Sequence, residues 1–436
     1  VAGRPLSLSL LLCAAAIAPT AAANDAPDDA AARKRKVAEA KRLEAEAEKM
    51  LVERVNAAID RGATWLEGRQ DADGVWPSPS EPNGRWGVQA LCLLTLLKCG
   101  READAPSVKK GLAAWRKLYE DSAKGGTLRT YDAGITLMML DALYGQTGEE
   151  KRDTRYAPSR KKQKCRYPKD MEEIARNLVD FLVTRRNREN DGWRYPDGAS
   201  DGPVDMSCTQ YAMLGLWAAS RCGFDAPPEC YHGAVAYALR TQAKEGKEVV
   251  RWIENPAHEP GVEDRYGPFL PGPKDRARGW AYLPNLTAWT GSMTTAGIAV
   301  LAIAKDRLKD MKALTPAREK EIDAAMRDGV AWLGESFKVD GNPGTATQAG
   351  WHYYYLYGLE RVGGVTGLRH VGRHDWYRRG AEYLVDRQHG DGGWVSDAPE
   401  RTKIHESPEI DSCFALLFLK RATVPPVQGP VLTGAD

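Results

Sequence analysis

Charge of one sign is what this chain lacks. Lys and Arg number 61 against 59 Asp and Glu in 436 residues. That balance excludes the one-sided basic face of a general nucleic-acid binder. No P-loop, dinucleotide fingerprint or H-E-x-x-H pair is present, so the chemistries those motifs mark are not expected. Strand-like alternation is missing as well, which argues against a β architecture. The longest apolar stretch near the start, Leu6–Ala18, falls short of the ~20 residues a membrane span needs. What remains is a core-forming composition: 43% hydrophobic residues, with 13 Trp and 17 Tyr.

Arg4 ahead of Leu6–Ala18, with Ala21-Ala22-Ala23 before Asn24, reads as an export signal over residues 1–23. An exported, periplasmic or envelope-associated protein without a transmembrane segment in its mature form is expected. Residues 24–50 are rich in Ala, Lys, Arg and Glu and form a charged helical spacer. Disulfides are permissible in an exported protein, and Cys222 and Cys230 flank a Pro-containing turn that would bring them together.

From residue 51 to 423 the chain alternates amphipathic segments with segments apolar nearly all round. Val52–Arg69 precedes Val88–Cys99, and Trp376–Gln388 precedes Asp411–Arg421. Four similar pairs lie between: Pro106–Tyr119 with Asp132–Tyr144, Met171–Arg186 with Met206–Cys222, Cys230–Gln242 with Met293–Leu308, and Glu319–Phe337 with Thr347–Val362. In the last amphipathic segment Tyr377, Ala381, Leu384 and Gln388 recur at helical spacing. A helix apolar on every side must be buried on every side. Six amphipathic helices outside and six apolar helices inside describe an all-α (α/α)6 toroid. Residues Lys244–Gly279 interrupt the repeat as a candidate lid, and residues 424–436 form a loose tail.

Two turns carry a resemblance. Gln70-Asp-Ala-Asp-Gly74-Val-Trp76 and Gln388-His-Gly-Asp-Gly392-Gly-Trp394 both match Q-x3-G-x-W, with partial versions at Gly192-Trp193 and Gly279-Trp280. Over residues 51–423 the chain therefore resembles the terpenoid (squalene) cyclase and protein prenyltransferase superfamily. The resemblance implies an (α/α)6 toroid and an apolar isoprenoid or lipid ligand in its centre. It also implies an Asp-rich acid segment at an inner-helix start. The nearest match is Asp205-Met-Ser-Cys-Thr209, in which Ser207 occupies the proton-donating position. A hydroxyl cannot protonate an isolated alkene as a buried carboxylic acid can, so squalene-type cyclisation is not implied. The prenyltransferase side of the resemblance implies zinc, for which Asp411, Cys413 and His352 are the residue types available. A site without any cofactor is the simpler expectation.

If all inner helices point one way, their N-termini converge on one mouth of the ring, each contributing about half a positive charge. The groups expected there are Tyr131, Asp132, Asp205, Thr209, His352, Asp411 and Cys413, with Tyr353 beside Tyr131 as aromatic wall. Asp205 and Asp411 are the candidate acids, while Tyr131, Asp132, Thr209, His352 and Tyr353 are the candidate ligand contacts. Asp132, Asp205 and Asp411 are equally suited to capping the inner helices. Two other functions fit the same toroid. One is a glycan-active lyase or hydrolase, for which the Trp351–Tyr355 aromatics would stack sugars. The other is a non-catalytic scaffold. The Cys-Gly-Glu-Gln mark of thioester toroids is absent.

Overall fold

A computed structural model of the chain describes residues 27–78, 85–145, 167–195, 203–346, 350–396 and 407–423. Its outer helices are α1 (Pro27–Gly68), α3 (Pro106–Lys124), α5 (Lys169–Arg185), α7 (Pro228–Thr241), α9 (Pro316–Glu335) and α11 (Trp376–Arg387). Between them in sequence come the inner helices α2 (Arg85–Lys98), α4 (Thr130–Tyr144), α6 (Met206–Arg221), α8 (Gly291–Asp310), α10 (His352–Thr366) and α12 (Pro408–Leu419). Each inner helix packs on the next, and α12 returns to α2, so the ring closes. The expected toroid is what the sequence folds into. The charged helical spacer runs without a break into the first outer helix, the two together forming α1. No helix among the described residues is long and apolar enough to cross a membrane.

All inner helices start at the same rim. A side chain on Gly87 of α2 would strike Asp132 of α4, and Tyr131 of α4 bonds Ser207 of α6. Gly291 of α8 lies against Tyr355 of α10, and Cys413 of α12 lies 3.8 Å from Cys92 of α2. Capping fixes three of these starts. Asp205 accepts from the Cys208 N–H at 2.7 Å, Thr290 from Met293 at 3.2 Å and Ser407 from Ile410 at 3.2 Å.

Four tryptophans lock the hairpins together. Each indole N–H donates to a carbonyl near the end of an outer helix: Trp76 to Leu66, Trp193 to Leu182, Trp280 to Ala238 and Trp394 to Leu384. Each main-chain N–H at the same residue is held by a polar side chain of the following inner helix: Gln89, Thr209, Thr294 and Ser412. The glutamines close the corner. Gln70 donates to Gly74 O (3.0 Å) and Ser107 O (3.1 Å), and Gln388 to Gly392 O and Ala58 O (both 2.8 Å). Gly74 and Gly392 turn the chain at φ of 87° and 104°, where a Cβ would be strained. Through Gln388 and Trp394 the last corner clasps α1, so sequence ends become neighbours in the ring.

Four details depart from the sequence expectations. Two antiparallel ribbons occur, β1 (Lys247–Glu254) with β2 (Phe269–Ala277) and β3 (His370–Val371) with β4 (His374–Asp375). The first is the candidate lid, and it is instead a brace on the outer wall. It packs on α9, meets His370 through Glu254 and Phe269, and reaches α1 through the Glu259–Arg33 pair. Its exposed polar faces hid the strand pattern. Cys230 is a free thiol, whereas Cys222 is disulfide-bonded, so these two do not pair with each other. Finally, α10 begins at His352 rather than at Thr347, which lies outside the described residues. Residues 1–23, expected to be an export signal, and 424–436, expected to be a loose tail, lie outside them too.

Candidate functional site at the mouth of the hub

The axis of the ring is filled by side chains of α4, α6, α10 and α12. Tyr131 stacks on Tyr195 (centroids 5.6 Å) and leans on Tyr211 (4.4 Å); Tyr211 stacks on Tyr354 (6.1 Å). Trp351, half-exposed at the start of α10, meets Tyr354 edge-on at 6.3 Å. Phe414 of α12 completes the plug against Tyr354 and Tyr357. A continuous aromatic surface therefore runs from the rim to the axis, Arg361 fills the axis beneath it, and a small cavity lined by Leu94, Met138, Leu214, Tyr357 and Leu417 lies toward the opposite rim.

Polar groups thread this aromatic set. Ser207 bonds the Tyr131 hydroxyl and lies 2.7 Å from that of Tyr354. Below them Arg361, fully buried, is caged by the faces of Tyr211, Tyr354 and Tyr357, with centroids at 5.6, 5.8 and 4.2 Å. Gln210, also fully buried, sits between: its oxygen accepts from Arg361 Nη2 (3.0 Å) and Nε (3.2 Å), and its nitrogen donates to Tyr354 Oη (3.0 Å). That orientation follows from chemistry, since a guanidinium has only donors. Arg361 Nη1 has no hydrogen-bond partner.

The acids at the rim differ. Asp205 is fully buried. Its Oδ1 takes the Cys208 N–H, while Oδ2 finds only Arg194 Nη1 at 3.8 Å, beyond hydrogen-bonding distance. Burial raises its carboxyl above the usual range, against the lowering effect of the Cys208 hydrogen bonds and Arg194. Asp132 is the third residue of α4, whose N-cap is Arg129, so it is not the cap expected of it. Burial pushes it up to about 8, opposed by Arg129, and its Oδ2 has no partner. Asp411 is likewise inside its helix, behind the Ser407 cap, and accepts from the Ser396 N–H at 2.8 Å.

Of the residues expected at the mouth, Tyr131 meets Ser207, which stands two residues beyond Asp205 on α6; Thr209 is spent on the corner, bonding the Trp193 N–H and Asp205 O. His352 and Tyr353 turn away from the axis. His352 Nε2 bonds Val339 O at 2.8 Å and its ring lies against Tyr353 and Tyr383 of α11. Consecutive helical residues diverge around the axis, so Tyr354 takes the hub position assigned to its neighbours. Cys413 faces Cys92, whose thiol burial pushes up. Among the described residues no three His, Cys, Asp or Glu groups converge on a common point, so His352, Asp411 and Cys413 do not form the zinc set. Gln210, Tyr195 and Arg361 were not singled out by sequence, and Tyr354 only as a member of the Trp351–Tyr355 run. The available signal was a charged and an amide side chain inside runs that otherwise read as core.

The closed ring of six hairpins, two of its corners carrying the full Q-x3-G-x-W pattern, is an (α/α)6 toroid. Comparison with solved structures finds the type II terpene cyclase MstE from Scytonema. One variant, bound to the product merosterolic acid A, is 12% identical with a TM-score of 0.47 over 86% of this chain and 99% of that one. A second, without ligand, is 12% identical with a TM-score of 0.46 over the same shares. A third, bound to the substrate geranylgeranyl dihydroxybenzoate, is 11% identical with a TM-score of 0.47 over 86% of this chain and 98% of that one. No family model matches the chain, and no curated protein does.

Proposed function

We propose that this is an exported toroid that binds an apolar isoprenoid or lipid chain at the aromatic mouth of its hub. The observation that carries the reading is the unbroken run Tyr195–Tyr131–Tyr211–Tyr354–Trp351, in which half-buried Tyr195 and Tyr131 and exposed Trp351 stand at the rim around buried Tyr211 and Tyr354. Aromatic faces gain about 25 cal/mol for each Å² of apolar surface removed from water. The filled axis supports a ligand held across the mouth, not one threaded along a deep channel. The proposed binding needs no metal or cofactor. Export is supported by the Arg4 and Leu6–Ala18 pattern and by the disulfide at Cys222, a bond suited to an oxidising compartment.

Processing of the ligand is favoured by one observation, the buried Asp205 with its unpartnered Oδ2 and raised affinity for a proton. A carboxylic acid held neutral there could donate to a ligand double bond. The test is tryptophan-fluorescence titration of the full chain with a C15 isoprenoid alcohol and with neutral oligosaccharides, followed by gas chromatography and NMR of the recovered alcohol, because proton-initiated isomerisation or cyclisation leaves its mass unchanged. Saturable binding of the alcohol, weakened at least tenfold by Trp351→Ala, is expected. Binding of the saccharides alone would establish the glycan reading, and binding of neither would leave the scaffold. Recovery of only unchanged alcohol from the wild type would remove Asp205 as an acid.

A further inference from the structure

Arg361 cannot accept a hydrogen bond, and that single fact sets the direction of every bond above it. Its Nη2 and Nε both donate to Gln210, so the amide oxygen must face the guanidinium. The amide nitrogen then faces Tyr354 and donates to its hydroxyl oxygen at 3.0 Å. Tyr354 has one hydroxyl hydrogen, and its other neighbour at 2.7 Å is Ser207 Oγ, which must receive it. Ser207 in turn has one hydrogen, and its remaining partner is the Tyr131 hydroxyl. Among the described residues no other acceptor stands at hydrogen-bonding geometry to Tyr131, so it accepts from Ser207 and its own O–H is left over at the mouth end of the chain.

We infer that Arg361, Gln210, Tyr354 and Ser207 form a one-way hydrogen-bond relay that makes Tyr131 an obligate donor to the ligand. The relay rests on the apolar-ligand reading and deepens it. The mouth selects a chain that ends in an oxygen acceptor, such as a ketone, over a hydrocarbon of equal length. Three features of the structure fit this role better than a purely structural one. The cation is fully buried, and among the described residues no carboxylate is bonded to it; the Gln210 oxygen and the tyrosine faces screen its charge, which polarises the bonds it starts. The amide and serine are each buried in helices that are otherwise core, where a polar network must be satisfied or be costly. The last hydroxyl belongs to a half-buried side chain at the rim, where a ligand can reach it.

Glu in place of Gln210 tests the direction without changing shape. A carboxylate pairs with Arg361 but only accepts, so Tyr354 turns its hydrogen toward residue 210, Ser207 can donate to Tyr354, and Tyr131 can donate inward to Ser207. Two measurements separate the relay from the ligand class. The first is isotope-edited infrared spectroscopy of the ligand-free full chain carrying ring-deuterated tyrosine. The Tyr131 C–O band, identified by its loss in Tyr131→Phe, should move in Gln210→Glu. A band that stays in place overturns the relay, whatever any ligand does. The second is titration with a C15 isoprenoid methyl ketone and with the C15 hydrocarbon. Wild type should favour the ketone by about fivefold, the size of one net hydrogen bond of ~1 kcal/mol. Tyr131→Phe and Gln210→Glu should both erase that preference, bringing the ketone and the hydrocarbon to equal affinity. Equal binding of both probes by wild type overturns the selection of an acceptor. A moved band with no binding of either probe upholds the relay and removes the apolar-ligand reading instead. Should Gln210→Glu fail to fold, the Tyr131→Phe titration alone still decides acceptor selection, since a preference that survives the loss of the hydroxyl overturns it.

Discussion

At the Trp394 corner the indole N–H, the main-chain N–H and the Gln388 amide all have partners, whereas around the hub Asp132 Oδ2, Asp205 Oδ2 and Arg361 Nη1 have none within hydrogen-bonding distance. Both regions are buried and both are built from aromatic and polar side chains. A buried polar atom left unmatched costs about 1–3 kcal/mol. The corners avoid that cost and hold the ring; the hub bears it at three ionisable groups. The same contrast separates what can be broken by removing bulk from what can be broken by changing charge.

The largest effect is expected at the closing corner. Trp394→Ala removes a fully buried indole and leaves Leu384 O unpaired at the junction of first and last hairpins. Denaturant unfolding should show a loss of about 3–5 kcal/mol, typical of a large aromatic truncated in a core. Adding bulk should be comparably harmful: a Cβ at Gly62 would stand 2.7 Å from the Trp394 ring, so Gly62→Val should unfold at markedly lower denaturant. If instead the ring tolerates both, the corners are not what holds it closed.

The hub should answer in the opposite sense. Burial raises the pKa of Asp132 from 3.8 to about 8. The native state then binds more protons than the unfolded state across that interval, so stability falls as pH rises from about 4 to about 8 and is level above it. Asp132→Asn removes the titration. It should flatten that part of the pH–stability curve and leave the variant more stable than wild type at pH 9. The gain should be a few kcal/mol, because every tenfold change in proton affinity is worth about 1.4 kcal/mol. A variant less stable than wild type at pH 9 would mean that the charged carboxylate is satisfied there.

Glu360 gives a smaller version at the opposite rim. Burial raises it from 4.5 to about 7, although Thr423 donates to it through its N–H (3.0 Å) and hydroxyl (2.7 Å). Its contribution to stability declines between about pH 4.5 and 7 by the same sign. Glu360→Gln should remove that slope but also weaken the hold on Thr423, for a net change of about 1 kcal/mol or less at pH 8. Hydrogen exchange at the Thr423 amide should quicken in the variant.

How far the sequence reveals these two regions follows from their geometry. The corners are local: Gln70 and Trp76, or Gln388 and Trp394, lie within one turn of chain, so spacing alone exposes them. Gln242 plays the same part for Trp280, donating to Arg278 O and Ala325 O, but the β1–β2 ribbon is inserted between them and hides the match. The hub is non-local. Which face of an apolar helix meets the axis depends on how six helices share it, and a shift of one residue turns the side chain by about 100°. That is why His352 and Tyr353 were expected where Tyr354 stands, and why Arg361 and Gln210 passed as interruptions of a core run.

The smallest effect is expected on the inserted ribbon, and it bears on whether the corner depends on what is threaded through it. Below the insertion the corner is already closed: Ala243 N–H donates to Gly279 O at 3.0 Å, and Gln242 bonds across the gap. Lys247, at the start of β1, pairs with Glu335 of α9 at 2.5 Å with both side chains largely exposed. Exposed pairs contribute about 0–1 kcal/mol. Lys247→Ala should therefore shift unfolding by no more than about 0.5 kcal/mol and leave binding of the C15 probes unchanged. A larger loss would mean that the ribbon props the Trp280 corner from outside, and that this corner, unlike those of Trp76 and Trp394, is not self-sufficient.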